Sequence, residues 1–243
     1  MSDALAAIAL SVPGGRVENC LGARLILSGL PFEALNVAFA PPRLSDTEEV
    51  IDRAERLFDG HRVPWRFEIP AERATVLGPL LNTKGLTEVE RQPGMFMPDL
   101  DRPMPPTPRG LTIRRVEGCE ETRRFMATGR EGFGLPYIKE FDELSLDGTL
   151  DVTGYLGWIG EKPVATSMRF TASGVAGVLF VSTLPEYRRR GFGAAMTWRA
   201  ALEGRHEGCR ASFLQASEMG YPVYERMGYR TIVETLSYRH PEP

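Results

Sequence analysis

The stretch Val175-Ala176-Gly177-Val178-Leu179-Phe180-Val181-Ser182-Thr183-Leu184-Pro185-Glu186-Tyr187-Arg188-Arg189-Arg190-Gly191-Phe192-Gly193-Ala194 decides how this chain is read. Val175 to Val181 is an apolar run that reads as a buried strand. Pro185 ends it, and a basic turn from Arg188 to Gly193 follows. A helical pattern then begins, with Ala194, Ala195, Trp198, Ala201 and Leu202 on one face. The two glycines let the backbone turn tightly with no Cβ in the way. The N–H groups that open a helix have no intrahelical acceptor, and the helix dipole favours an anion beside them. With three arginines added, this is the chemistry of a pyrophosphate cradle. A Walker loop would need Lys-Ser/Thr where Ala194-Ala195 stand. A Rossmann fingerprint would need three spaced glycines after the first strand. The bland alternative is a generic strand, turn and helix with a solvated arginine cluster.

A second informative segment runs from Phe213 to Tyr229 and reads as strand, short helix, strand. Ser217 is a candidate N-cap, and Gly228 stands where a left-handed residue would end the helix. Together the two segments resemble the GNAT superfamily of N-acetyltransferases. The family's cofactor loop is matched by Arg188, Gly191 and Gly193. Its later helix pattern is matched by Val223-Tyr224 and Gly228-Tyr229. The resemblance implies an α+β GNAT fold, a mixed and mostly antiparallel sheet flanked by helices. It also implies transfer of an acetyl group from acetyl-CoA to a primary amine of a small molecule or peptide. The alternative function is a non-catalytic regulator that binds acyl-CoA. An interaction protein whose arginines are only a solvated face is a third reading.

Site roles follow from the resemblance. The pyrophosphate would be held by Arg188, Arg189, Arg190, Gly191, Phe192, Gly193 and Ala194. The pantetheine arm would pair with backbone groups of Val181 and Thr183, with Ser217 beside it. A backbone N–H near Val181 would face the thioester oxygen as it becomes anionic. Tyr224 would protonate the leaving thiolate. A free thiol has a pKa of about 8.5 and a tyrosine about 10, so that transfer is mildly uphill. Tyr224 could equally be a core residue with a satisfied hydroxyl. Glu131 and Glu218 are weak candidates for a general base, each more simply read as a solvated carboxylate.

Composition narrows the classes. Apolar content of 42%, charged content of 25% and a net charge of −3 describe a globular chain with no basic field for nucleic acid. No apolar run reaches the length of a membrane span, and residues 1–10 lack the basic start of a secretory signal. Cys20, Cys119 and Cys209 are odd in number and far apart, which fits free thiols in the cytoplasm. His61, His206 and His240 lack metal-ligand spacing, so no metal is expected. The acceptor and the oligomeric state, a homodimer among the options, are not written in the sequence.

Prolines at 98, 103, 105, 106 and 108 mark residues 98–108 as an extended linker. Residues 109–243 then read as the catalytic domain. Its order starts with a strand at Leu111–Arg115, a helix at Glu117–Gly129, a glycine-rich break at Gly132–Pro136 and a second helix at Tyr137–Leu144. Strands at Asp151–Ile159 and Val164–Thr171 precede the cradle. Residues 1–97 carry a quieter version of the same order. Leu35–Ala40 reads as a strand, Ser45 with Glu48 as a capping box, and Val50, Ile51, Ala54, Leu57 and Phe58 as a helix face. Trp65, Phe67 and Ile69 alternate as a strand, a helix runs from about Ala71 to Gly85, and Glu88–Met97 closes the set. The interval from Pro42 to Gly85 equals that from Pro185 to Gly228, which suggests a degenerate repeat. Its chemistry is absent, for Asp46-Thr47-Glu48-Glu49 opens the helix and Leu81 aligns with Tyr224. Residues 1–97 therefore read as a GNAT-like half without a cofactor site.

Overall fold

The computed structural model describes residues 2–10, 12–137, 139 and 152–241. They divide into two compact units. One is Ser2–Gly94 with the segment from Ile232 onward, and the other is Met95–Thr231. The boundaries fall inside two strands rather than in the proline-rich stretch.

The N-terminal unit contains α1 (Ser2–Leu10), β1 (Arg16–Cys20), β2 (Ala23–Leu27), β3 (Asn36–Phe39), α2 (Thr47–Gly60), β4 (Arg66–Pro70), α3 (Ala74–Thr83) and β5 (Thr87–Met97), whose end passes into the other unit. The C-terminal unit contains β6 (Leu111–Arg115), α4 (Gly118–Phe133), β7 (Val152–Ile159), β8 (Lys162–Ala172), β9 (Val175–Thr183), α5 (Phe192–His206), β10 (Ala211–Gln215) and α6 (Tyr221–Met227). β11 (Arg230–Arg239) starts there and continues into the N-terminal unit.

Strand order in the N-terminal unit is β1-β2-β3-β4-β11-β5. β3 and β4 are parallel, while β1–β2, β2–β3 and β4–β11 are antiparallel. Val50, Ile51, Ala54, Leu57 and Phe58 of α2 are buried against Leu25, Leu27, Phe67 and Ile69. Each large apolar side chain so buried contributes about 1.5–3 kcal/mol. The capping box does not form. A 3-10 turn at Leu44–Asp46 precedes α2, and Ser45 Oγ donates to Asp46 instead. α1 and the β1–β2 hairpin were not expected. Leu21-Gly22 makes the hairpin turn with φ of +50° and +80°, a geometry more often announced by Asn-Gly.

In the C-terminal unit the order is β5-β10-β9-β8-β7-β6. β6 to β9 are joined by antiparallel pairs, and β9 is parallel to β10. α5 buries Phe192, Met196, Trp198, Ala200 and Ala201, a broader face than its sequence pattern suggested. The proline-rich stretch has neither helix nor strand, yet it is pinned to this unit. Leu100 is buried and its N–H donates to Arg210 O at 3.1 Å, while Arg102 donates to Met227 O at the end of α6.

α4 corrects the expected break. It runs on through Gly129 and Gly132 to Phe133, and only Gly134, at φ +70°, ends it. The two internal glycines allow close approach to β9. A Cβ on Gly129 would stand 2.1 Å from the Phe180 ring, and one on Gly132 would stand 2.6 Å from Ser182 Oγ. The helix expected at Tyr137–Leu144 lies outside the described residues.

Candidate functional site

β9 is bulged and only partly paired. Its register against β8 slips between Thr166 and Met168, which places an extra residue at Phe180–Val181. Phe180 sits at φ +54°, a left-handed backbone that costs a bulky residue about 1–3 kcal/mol. The Thr166 hydroxyl holds the bulge, bonding Phe180 O at 2.9 Å and Ser182 Oγ at 2.8 Å. On its other edge β9 pairs with β10 only from Ala211↔Val175 to Leu214↔Val178. β9 continues to Thr183 beyond that pairing, so among the described residues Leu179 to Thr183 have an edge without a strand partner. Val181 packs toward the core under α5, and Phe180 turns its ring to α4.

The basic turn follows at the open end of β9. Pro185–Tyr187 form a 3-10 turn, Arg189 and Gly191 take φ of +63° and +78°, and α5 begins at Phe192. Ala195 N–H is the first to bond back, to Gly191 O at 3.0 Å. The N–H groups of Phe192, Gly193 and Ala194 therefore face outward without an intrahelical acceptor. The arginines divide their work. Arg188 donates to Gly132 O at 2.7 Å and Thr183 O at 3.2 Å, clamping the end of α4 to the end of β9. Arg190 bonds Glu186 O and lies over Tyr187, whose ring also receives Lys162. Arg189 is exposed. Arg188 thus shapes the turn, and Arg189 and Arg190 supply its solvent-facing charge.

Tyr224 is nearly buried on α6, ring edge to Tyr229 at 6.1 Å. Burial pushes its hydroxyl up from the usual tyrosine value to about 12, opposed by a hydrogen bond with Thr197. Thr197 lies on α5 and donates to Gly193 O at 2.9 Å. Thr197 therefore stands between Tyr224 and the helix start at the basic turn. Tyr229 is tied to Ser212 Oγ at 2.7 Å and belongs to the core. Ser217 is exposed, and its Oγ accepts from Gly220 N–H at 3.2 Å in the turn ahead of α6.

The two carboxylates are solvent-exposed. Glu131 is exposed in the last turn of α4, inside the helix rather than in a break. Glu218 is exposed in the turn before α6. A concavity of about 610 Å³ lies at the opposite ends of β9 and β10, lined by Gly174, Cys209 and Arg210 among others. Volume alone does not mark the site, because ligands of parallel strands gather at the carboxyl ends. A smaller groove of about 450 Å³ touches Gly191 and Ala194 and is walled by Pro105, Pro106 and Pro108.

Thr166, Thr197, Gly129 and Gly132 were missed by sequence reasoning. The glycines carried a signal, since two glycines within one helical pattern mark close packing as readily as a break. The threonines carried none, for Thr166 bonds across to a neighbouring strand and the Thr197 bond to Gly193 O is one that any helical threonine can make. Among the described residues, no three His, Cys, Asp or Glu side chains are grouped to hold a metal ion. No described helix is long and apolar enough to cross a membrane. The three cysteines are free.

Residues 163–232 match the family model described as Acetyltransferase (GNAT) domain. No curated protein matches the chain. Among solved structures, a GCN5-related N-acetyltransferase from Kribbella flavida superposes with a TM-score of 0.75 at 22% identity, covering 100% of this chain and 94% of that one. A GCN5-related N-acetyltransferase from Sphaerobacter thermophilus gives 0.68 at 18% identity over 93% and 83% of the two chains. A tandem GNAT protein from the clavulanic acid biosynthesis pathway gives 0.58 at 16% identity over 91% and 79%. These likenesses establish the fold.

Proposed function

We propose, from a chain whose residues 163–232 belong to the GNAT acetyltransferase family, that the C-terminal unit transfers an acetyl group from acetyl-CoA to a primary amine. The acceptor would be a small molecule or a peptide. The observation that carries this reading is the open edge of β9 from Leu179 to Thr183, running directly into a helix start with unbonded N–H groups. An extended amide-bearing arm fits that edge, and a diphosphate fits that helix start. Phe192, Gly193 and Ala194 would bind the diphosphate through backbone N–H groups, with Arg189 and Arg190 adding charge. Arg188 would keep the turn in shape from behind, through Gly132 O and Thr183 O. Backbone groups of Val181 and Thr183 would align the arm.

The bulge at Phe180–Val181 frees backbone N–H groups from the regular ladder, and one of them would donate to the thioester oxygen as it gains charge. Tyr224 would serve as proton donor to the sulfur. At about 12 it is fully protonated at neutral pH, so it is always ready to donate. Passing the proton completely to a thiolate near 8.5 is uphill by roughly 5 kcal/mol, so donation accompanies thiol departure rather than preceding it. Ser217 would flank the arm at the turn before α6. The half of the chain before residue 98 would hold no cofactor. The three free cysteines fit a cytoplasmic setting.

Titration calorimetry with CoA and a turnover assay over a panel of amines test the proposal together. One CoA per chain, with acetyl-CoA-dependent product from at least one amine, is the expected result. Absence of CoA binding would overturn it, and binding without turnover would favour a regulator.

A further inference from the structure

Phe180 keeps a left-handed backbone within a strand, where glycine would rest at no cost. Its ring is 5.4 Å from Phe125 and 5.2 Å from Phe133, the latter edge to face. Gly129 admits that ring, since a Cβ there would collide with it. Three aromatic rings thus meet where α4 crosses the bulge. Phe125 is fully buried, whereas Phe133 is 46% exposed.

The exposed edge of Phe133 has a direction. At roughly 100° per residue, Glu131 and Phe133 stand on opposite flanks of α4. Lys162, at the start of β8, has its ammonium pKa raised first by its hydrogen bond to Glu186, with the Glu131 charge adding to it. The Phe133 ring, lying edge to face on Phe180, sits directly over the bulge of β9. Among the described residues, Phe133 and Phe180 are the apolar surface that an amine would meet at the bulge on the α4 side.

We propose that the acceptor carries an aromatic or comparably flat apolar group close to its primary amine, packed on the exposed edge of Phe133. This rests on the acetyl-transfer reading above. The amine nitrogen attacks the thioester carbon, the C–S bond breaks, and the departing sulfur takes up a proton as the nitrogen loses one.

The test compares kcat/KM for 2-phenylethylamine and for propylamine in the full chain, with acetyl-CoA as donor. The ratio is expected to favour the aromatic amine by about ten-fold or more, a typical return for filling an apolar pocket. Phe133→Ala should collapse the ratio mainly through KM for the aromatic amine, and Phe133→Trp should retain it. Phe133→Leu keeps apolar bulk without a flat face, so it replaces the alanine variant if that one fails to fold, and it too should lower the ratio. Equal efficiencies in the wild-type protein, or a ratio indifferent to residue 133, would overturn the acceptor class alone. If neither amine is acetylated while a different, non-aromatic amine is, the acceptor class fails and the transfer reading stands. If no amine of any kind is acetylated, both fail.

Discussion

α5 and α2 each cross from a strand to its parallel neighbour, β9 to β10 and β3 to β4. Each crossing is followed by a second helix that ends on a left-handed glycine, Gly228 at φ +99° and Gly85 at φ +81°. The scaffolds correspond, and the helix starts do not. α5 opens on Gly191 in a left-handed turn with arginines around it. α2 opens on Thr47-Glu48-Glu49 after a 3-10 turn, with Lys84 drawn onto Glu48 and Asp52. β9 runs beyond its parallel partner, whereas β3 stays paired to its end and Ala40 N–H extends the ladder to Glu68 O. Tyr224 has a buried apolar counterpart in Leu81. A βαβ crossover supplies a helix N-terminus, but a ligand site needs an unpaired strand edge and a helix start of the right charge as well.

Four substitutions would break or sharpen this contrast, and the largest effect belongs to the turn. Gly191→Asp places a carboxylate where α5 would meet a diphosphate, and aspartate tolerates the left-handed backbone better than most residues. CoA affinity should fall by more than about 100-fold while the fold persists, since an unpaired like charge at such a site costs several kcal/mol. Calorimetry on a variant with native circular dichroism checks it. Unchanged affinity, or two CoA per wild-type chain, would erase the distinction between the two helix starts.

Tyr224→Phe comes next. Turnover should drop by roughly 10- to 1,000-fold, mainly in kcat, with CoA affinity nearly intact. Losing the hydroxyl's interaction with Thr197 should lower stability by no more than about 1 kcal/mol. The same residue has a signature in base. Its pKa is raised on folding from about 10 to about 12, so its stabilising contribution is complete below pH 10 and lost as pH rises through 12. Wild type should lose up to roughly 3 kcal/mol more than Tyr224→Phe over that interval. Parallel denaturation curves would expose a different origin for the alkaline transition.

Gly129→Ala probes the α4–β9 contact. Its Cβ would displace the Phe180 ring, so a loss of about 1–3 kcal/mol is expected from overpacking. A melting temperature within error of wild type would show that α4 lifts away freely.

The smallest effect lies in the N-terminal unit. Glu68 is buried on β4 beside Arg66, and desolvation raises its pKa. Its contribution is therefore full below about pH 4.5 and lost as pH rises through the folded-state value. Glu68→Gln should flatten the stability profile over that range. An unchanged slope would locate the pH dependence elsewhere.

Much of this contrast was legible in residue order. The cradle strand, the αL glycines at 191 and 228, and the αβ spacing of both halves are local patterns, and local patterns survive in sequence. The bulge was not legible, because it depends on Thr166 reaching Phe180 O from the neighbouring strand. Arg188 read as a phosphate ligand because charge is visible in sequence, while its carbonyl partners, Gly132 and Thr183, are visible only in three dimensions. The Ser45 capping box failed because the chain tightened into a 3-10 turn one residue early.

β11 carries a consequence for how the molecule comes to exist. In the N-terminal unit it stands between β4 and β5, pairing Leu236 with Ile69 and Tyr238 with Phe67. A sheet that needs a strand from the far end of the sequence closes late, since long-range pairing must first meet the entropy of the intervening chain. Until then β4 and β5 present bare edges of the kind that recruit other chains. Cutting at the proline-rich stretch would make that interval permanent. Residues 1–97 alone are expected to aggregate, and adding a peptide of residues 230–241 should restore solubility if β11 is the missing piece.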